Sequence, residues 1–122
     1  MKKILVVINE DFDLVQFLSR KLRQDSYEII YAGDAVSALS LALKENPVLI
    51  VLDQNLSNGD TLIIKSRLEN FRSLRRIPIV NIRNGGEANK SSQNMHEAES
   101  IFIERPIDYL QLIETIRNIL AA

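Results

Sequence analysis

The runs KILVVI (3–8), VLIVLD (48–53) and IPIVNI (77–82) are apolar almost without interruption. A strand with one wet face alternates apolar and polar residues, so strands of this kind must be covered on both faces. Between them lie stretches with helical periodicity. Residues 12–24 place Leu14, Phe17, Leu18 and Leu22 on one side behind a capping Asp11. YEIIYA (27–32) reads as a second strand. Residues 34–46 start at a capping Asp34, set Ala35, Leu39, Ala42 and Leu43 on one stripe, and stop before Pro47. After the turn SNGD, TLIIKSRLENF predicts a third helix capped by Asp60. SIFIE (100–104) is the fifth strand. DYLQLIETIRNIL (108–120) is the last helix, with Asp108 and Gln111 at capping-box spacing. Its core stripe is expected to be Leu110, Ile113, Ile116 and Leu120. Leu112, Ile119 and Tyr109 are left as an apolar patch for a partner or a second copy.

The connection RNGGEANKSSQNMHEAES (83–100) differs from the others. It offers only Ala88, Met95 and Ala98 as apolar anchors and opens with Gly85-Gly86, so its helix is expected to be short, frayed or absent. The whole is a (βα)5 pattern. Right-handed crossovers turn it into an α/β fold, a doubly wound five-stranded parallel sheet with helices on both faces. Residues 1–122 make one domain.

Several function classes are excluded at this level. The chain has no cysteine, so thiolate chemistry and cysteine zinc sites are absent, and the single histidine, His96, cannot form a histidine metal site alone. A net charge of −1 gives no general case for nucleic acid or anionic membranes. The basic run KSRLENFRSLRR (65–76) reads first as a solvated helix end whose cations complement the helix dipole, with a nucleic-acid patch as the alternative, and it also offers a docking face for an acidic partner. No apolar run approaches the ~18 residues of a membrane span, and the basic start leads into acids rather than a signal peptide. A cytoplasmic location is the expectation.

In a doubly wound sheet the ligand site lies beyond the carboxyl ends of the strands, at the point where strand order reverses. That rule selects Asn9, Glu10, Asp53, Arg83 and Arg105. Glu10, after the first strand, and Asp53, ending the third, converge if those strands are neighbours. Two hard carboxylates with waters and a backbone carbonyl suit Mg²⁺. Beside a metal, Asp53 can attack phosphorus and form an acyl phosphate. The same acids argue against a nucleotide cradle, which needs amides rather than negative charge after the first strand. Asp11, Asp13, Asp34, Asp60 and Asp108 read as caps or solvated turn residues.

At these strand ends the sequence resembles the receiver (CheY-like, flavodoxin-like) domain of two-component response regulators over essentially its whole length. VVINED holds the place of the family's acidic pair as Asn9-Glu10. LIVLDQNLSNGD matches the phosphorylation loop with Asp53 as acceptor, IPIVNIRN the fourth strand, and IFIERPID the fifth strand and its turn. The step of forty-three residues from Glu10 to Asp53 fits the family. A slip that makes the pair Glu10-Asp11 takes Leu14, Phe17, Leu18 and Leu22 out of family register. The resemblance implies a signal transducer rather than an enzyme. It implies a metal site of Glu10, Asp53, the Asn55 carbonyl and, weakly, the Asn9 amide. It also implies a switch aromatic at Phe102 and a cis peptide before Pro106.

The departures are as informative. Asn9 replaces an acid, Arg83 a small hydroxyl residue, and Arg105 a lysine, an exchange that is not conservative because the guanidinium is a planar fork. Arg83 is expected to lie across the site and pair with Asp53 or Glu10. Without the hydroxyl on the fourth strand, Phe102 reads equally as switch or plain core ring. The expectation is an atypical, or pseudo-, receiver acting through protein partners, with Mg²⁺ weak or absent. The alternative is a working phospho-receiver accepting phosphate on Asp53 from a histidine kinase or phosphotransfer protein. The family's usual dimer face is not expected, given the weak helix before the fifth strand.

Overall fold

The computed structural model describes residues 1–85 and 101–121. Strands Lys2–Val7 (β1), Tyr27–Ala32 (β2), Leu49–Asp53 (β3), Ile79–Asn84 (β4) and Ile101–Arg105 (β5) form one parallel sheet in the order β2-β1-β3-β4-β5. Order reverses between β1 and β3, which meets the condition under which Glu10 and Asp53 come near each other. The helices are Phe12–Arg23 (α1), Ala35–Glu45 (α2), Asp60–Asn70 (α3) and Tyr109–Ala121 (α4). The segment expected to carry a weak helix before β5, with Met95 and His96, lies from residue 86 onward outside the described residues.

The uninterrupted apolar strands are explained by two cores, one on each face. Ile4, Val6 and Ile8 point to one side with Val51, Val80, Ile82 and Ile103, under Leu14, Leu18 and Leu22 of α1 and Leu112, Ile113 and Ile116 of α4. Leu5, Val7, Ile50 and Leu52 point to the other, under Ala35, Ala38 and Ala42 of α2 and Ile64 and Leu68 of α3. Each fully buried Leu or Ile contributes about 1.5–3 kcal/mol of apolar transfer. β1 and β3 have no solvent face to spare.

Two expectations about helix faces and one about a helix cap are corrected. On α4 the buried residues are Leu112, Ile113 and Ile116, while Leu110 is 70% exposed. The helix meets the sheet through the 109, 112, 113, 116 row, which is the i, i+3, i+4, i+7 set of its first residue. Tyr109 belongs to that row and packs on Phe17 with ring centroids 4.6 Å apart. On α2 the inward stripe is Ala35, Ala38 and Ala42, and Leu43 faces solvent. Small residues there let α2 sit close to the sheet. Asp60 is the third case. α3 starts after Gly59 in a left-handed conformation without a side-chain cap, and the Asp60 carboxylate accepts instead from the Ala35 N–H at 2.9 Å. It therefore serves the start of α2 beside Asp34, which accepts from Ser37 N–H at 2.8 Å. Asp11 and Asp108 hold the roles expected of them, accepting from Leu14 N–H and Gln111 N–H.

Candidate functional site at the carboxyl end of the sheet

Asp53 is the last residue of β3 and is 2% exposed, one of few buried polar side chains among the described residues. The backbone around it is fixed from three sides. Gln54 N–H donates to the Ile82 carbonyl at 2.7 Å, Thr61 Oγ1 donates to the Asp53 carbonyl at 2.7 Å, and Asn55 N–H donates to Asp53 Oδ1 at 2.9 Å. Thr61 is thus a positioning residue that sequence reading missed. It appears there only as the first residue of the third helix.

The carboxylate is gripped by Arg105. Nη1 donates to Oδ1 at 3.2 Å and Nη2 to Oδ2 at 3.0 Å, a bidentate fork. Arg105 ends β5, two strands away from β3, with β4 between. Neighbouring strands lie about 4.8 Å apart, so only a long side chain crosses this gap. Gly85, just past β4, lets the chain run close to the end of β5: a Cβ there would lie 3.0 Å from the Arg105 carbonyl oxygen. The Arg105–Pro106 peptide is cis, as the resemblance implies.

Arg83 takes another direction from the one expected. Its Nη2 pairs with Glu104 Oε1 at 3.2 Å, and its guanidinium carbon lies 4.1 Å from the centre of the Phe102 ring, a cation–π contact. The reason is strand parity. Asp53 follows Val51 on the α1/α4 face, in register with Ile82 and on the same side as Ile103 and Arg105. Arg83 is one residue beyond Ile82 and so projects to the opposite face, where Phe102 and Glu104, the register partner of Arg83, lie. Phe102 is half-buried under a guanidinium, not a fully buried core ring.

On the α2/α3 face, Asn81 is 3% exposed and fully engaged. Its Oδ1 accepts from Gln54 Nε2 at 2.6 Å, and its Nδ2 donates to the Ile101 carbonyl at 3.2 Å. Lys65 Nζ donates to Gln54 Oε1 at 2.6 Å. A polar chain thus runs from α3 to the start of β5 beneath the Arg83–Phe102 pair. Asn9 and Glu10 follow buried Ile8 and are exposed, with Glu10 at φ 47. Asn55 is exposed as well. Asp11, the other acid of the shifted pair, is engaged as the cap of α1.

Of the donors expected for a divalent ion, Asp53 is buried and held by Arg105, while Asn9, Glu10 and Asn55 are exposed. Among the described residues, no three His, Cys, Asp or Glu side chains gather into a metal-binding group. Both oxygens of Asp53 already face a cation. The fork takes one lone pair of each oxygen and Asn55 N–H a second on Oδ1, so a divalent ion bound here would share the carboxylate with Arg105.

Comparison with known proteins places the chain. No family model matches it. The polar-differentiation response regulator DivK of Brucella ovis is 33% identical over 119 residues, covering 94% of each chain. The chain belongs to the response-regulator receiver family. The response regulator PleD of Caulobacter vibrioides is 27% identical over 119 residues, and this receiver spans 26% of its length. Among solved structures, the signal receiver domain of a DNA-binding response regulator from Colwellia psychrerythraea superposes with a TM-score of 0.81 at 17% identity, covering both chains completely. A response regulator from Desulfuromonas acetoxidans gives 0.78 at 22% identity, covering 99% of this chain and 98% of that one. These two show the fold. In the described part of the receiver, no helix is long and apolar enough to cross a membrane.

Proposed function

We propose that this chain is an atypical receiver of a two-component system, in which Arg105 occupies the acceptor carboxylate and state is passed on through protein contacts. The observation that carries the reading is the Arg105–Asp53 fork. A carboxylate attacks phosphorus with an oxygen lone pair, and here each oxygen already shares one of its lone pairs with a guanidinium N–H, which lowers its nucleophilicity. Freeing one oxygen leaves a buried charge with reduced compensation, a cost that a preorganised nucleophile does not carry. Arg83 adds to the case: the strand-four position that holds a small hydroxyl in the family is tied to Glu104 and Phe102, on the other face. Mg²⁺ is proposed to bind weakly or not at all, and the partners to be a histidine kinase, a phosphotransfer protein or a downstream protein.

A second reading is favoured by one observation. Asp53 is retained at the end of β3, and the Arg105 side chain is 27% exposed, so it has a path outward. On that reading the fork is a resting state, and Asp53 accepts phosphate once Arg105 swings clear. Amide NMR separates the two. The purified domain is titrated with Mg²⁺ and then with beryllofluoride, which imitates an acyl phosphate. The atypical reading expects no saturable shifts at Glu10, Asp53 and Phe102; saturable shifts at all three would establish the working receiver instead.

A further inference from the structure

The turn between α3 and β4 gathers three guanidiniums at the opposite end of the sheet from Asp53. Phe71 stops α3 with extended backbone (φ −93, ψ 122). Its carbonyl then accepts from both Leu74 N–H and Arg75 N–H at 3.0 Å, and the Leu74 carbonyl accepts from Ile77 N–H at 3.1 Å. Leu74 is 1% exposed and sits in the core beneath α2 and α3. The segment is thus a single helical turn anchored by one buried side chain. Arg72, Arg75 and Arg76 stand at i, i+3 and i+4, which puts them on one side of it. With Ser73 they line a concavity of about 520 Å³.

All three arginines are exposed, and among the described residues none forms an ion pair with an acid. The dipole of α3 favours a cation just past its end, at Arg72, but Arg75 and Arg76 lie about a turn further on, so it accounts for at most one of the three. The site at Asp53 supplies the comparison that identifies the missing charge. There one guanidinium satisfies one carboxylate with two hydrogen bonds. Three forks and a hydroxyl in one concavity exceed what a single carboxylate can accept. They match a group with more oxygens and at least two negative charges. A net charge of −1 gives the molecule no long-range field for an extended polyanion, which favours a compact ligand over a nucleic acid.

We propose that the Arg72–Arg75–Arg76 turn binds the phosphoryl dianion of a small soluble molecule, a phosphate monoester or an oligophosphate. The site is independent of the Asp53 chemistry and stands whichever reading of Asp53 holds. Its test is an amide NMR titration of the whole chain with sodium pyrophosphate, without divalent metal, against sodium chloride at equal ionic strength. Saturable shifts confined to residues 71–77 are expected with pyrophosphate and not with chloride. The double variant R75A/R76A removes only exposed side chains, so its spectrum elsewhere should be unchanged while pyrophosphate binding weakens by about tenfold or more. Equal responses to pyrophosphate and chloride, or binding that survives the double variant, would overturn the proposal. Tighter binding of oligoglutamate or of a single-stranded oligonucleotide than of pyrophosphate would also overturn it, assigning the turn to an acidic protein or a nucleic acid.

Discussion

At the scale of single residues, the unequal burial of the two partners governs the Asp53–Arg105 fork. The aspartate side chain is 3% exposed and the arginine 27%. Removing the arginine strands a buried carboxylate, whereas neutralising the aspartate leaves a cation that reaches water. Arg105→Ala is therefore expected to cost about 3 kcal/mol and Asp53→Asn about 1 kcal/mol, read as the shift in urea unfolding at neutral pH. The reverse order would contradict the geometry. Tyr109 gives a second residue-level expectation. Burial, chiefly, and then the charges of Asp11 and Asp13 push its phenol above the ordinary value of 10.0. The unfolded chain then loses that proton first. The stabilising contribution is fully present below about pH 10 and is lost as pH rises through the folded value. Tyr109→Phe should flatten the alkaline fall in thermal stability, and an unchanged fall would assign it to other groups. The placement of Asp53, Arg83 and Arg105 at strand ends on one edge of the sheet was legible in the sequence, because buried strands and their order fix where each strand stops. The partner of Arg83 was legible too, had its parity been counted: residues 51, 53, 82 and 105 share one face, and 83, 102 and 104 the other.

At the scale of elements, the sequence pattern locates every described strand and helix to within two residues, because buried parallel strands and capped helices have strong local signals. It is less successful at deciding which way each helix rolls. On α4, apolar residues occupy so much of the circumference that periodicity alone admits two stripes, and contact with Phe17 and the sheet chooses between them. Leu112→Ala should cost about 3 kcal/mol through the cavity it leaves, and Leu110→Ala less than about 0.5 kcal/mol. Equal costs would restore the rejected stripe. Asp60 could not be assigned from local sequence, since it acts twenty-five residues away, on Ala35. Asp60→Ala is expected to cost about 1 kcal/mol. The loss should appear as faster hydrogen exchange at Ala35 in α2, not at the start of α3.

At the scale of the whole molecule, a parallel sheet with a reversal of order brings the ends of β1, β3, β4 and β5 to one edge, and that edge is where the family resemblance resides. What distinguishes this receiver is how the edge is wired. Arg105 crosses above β4 to close on Asp53, while Arg83 turns to the opposite face and covers Phe102. The Lys65–Gln54–Asn81 chain ties the Asp53 loop to the start of β5 below that ring. The fold alone could support either a phosphorylated switch or a static docking module; the arginine fork favours the second. Intact-protein mass spectrometry after incubation with a small phosphoryl donor and Mg²⁺ tests this most directly, with Asp53→Asn as the blank. No stoichiometric addition of a phosphoryl group to the wild-type chain is expected. A single hydroxylamine-labile phosphoryl group on most molecules, absent from Asp53→Asn, would contradict it.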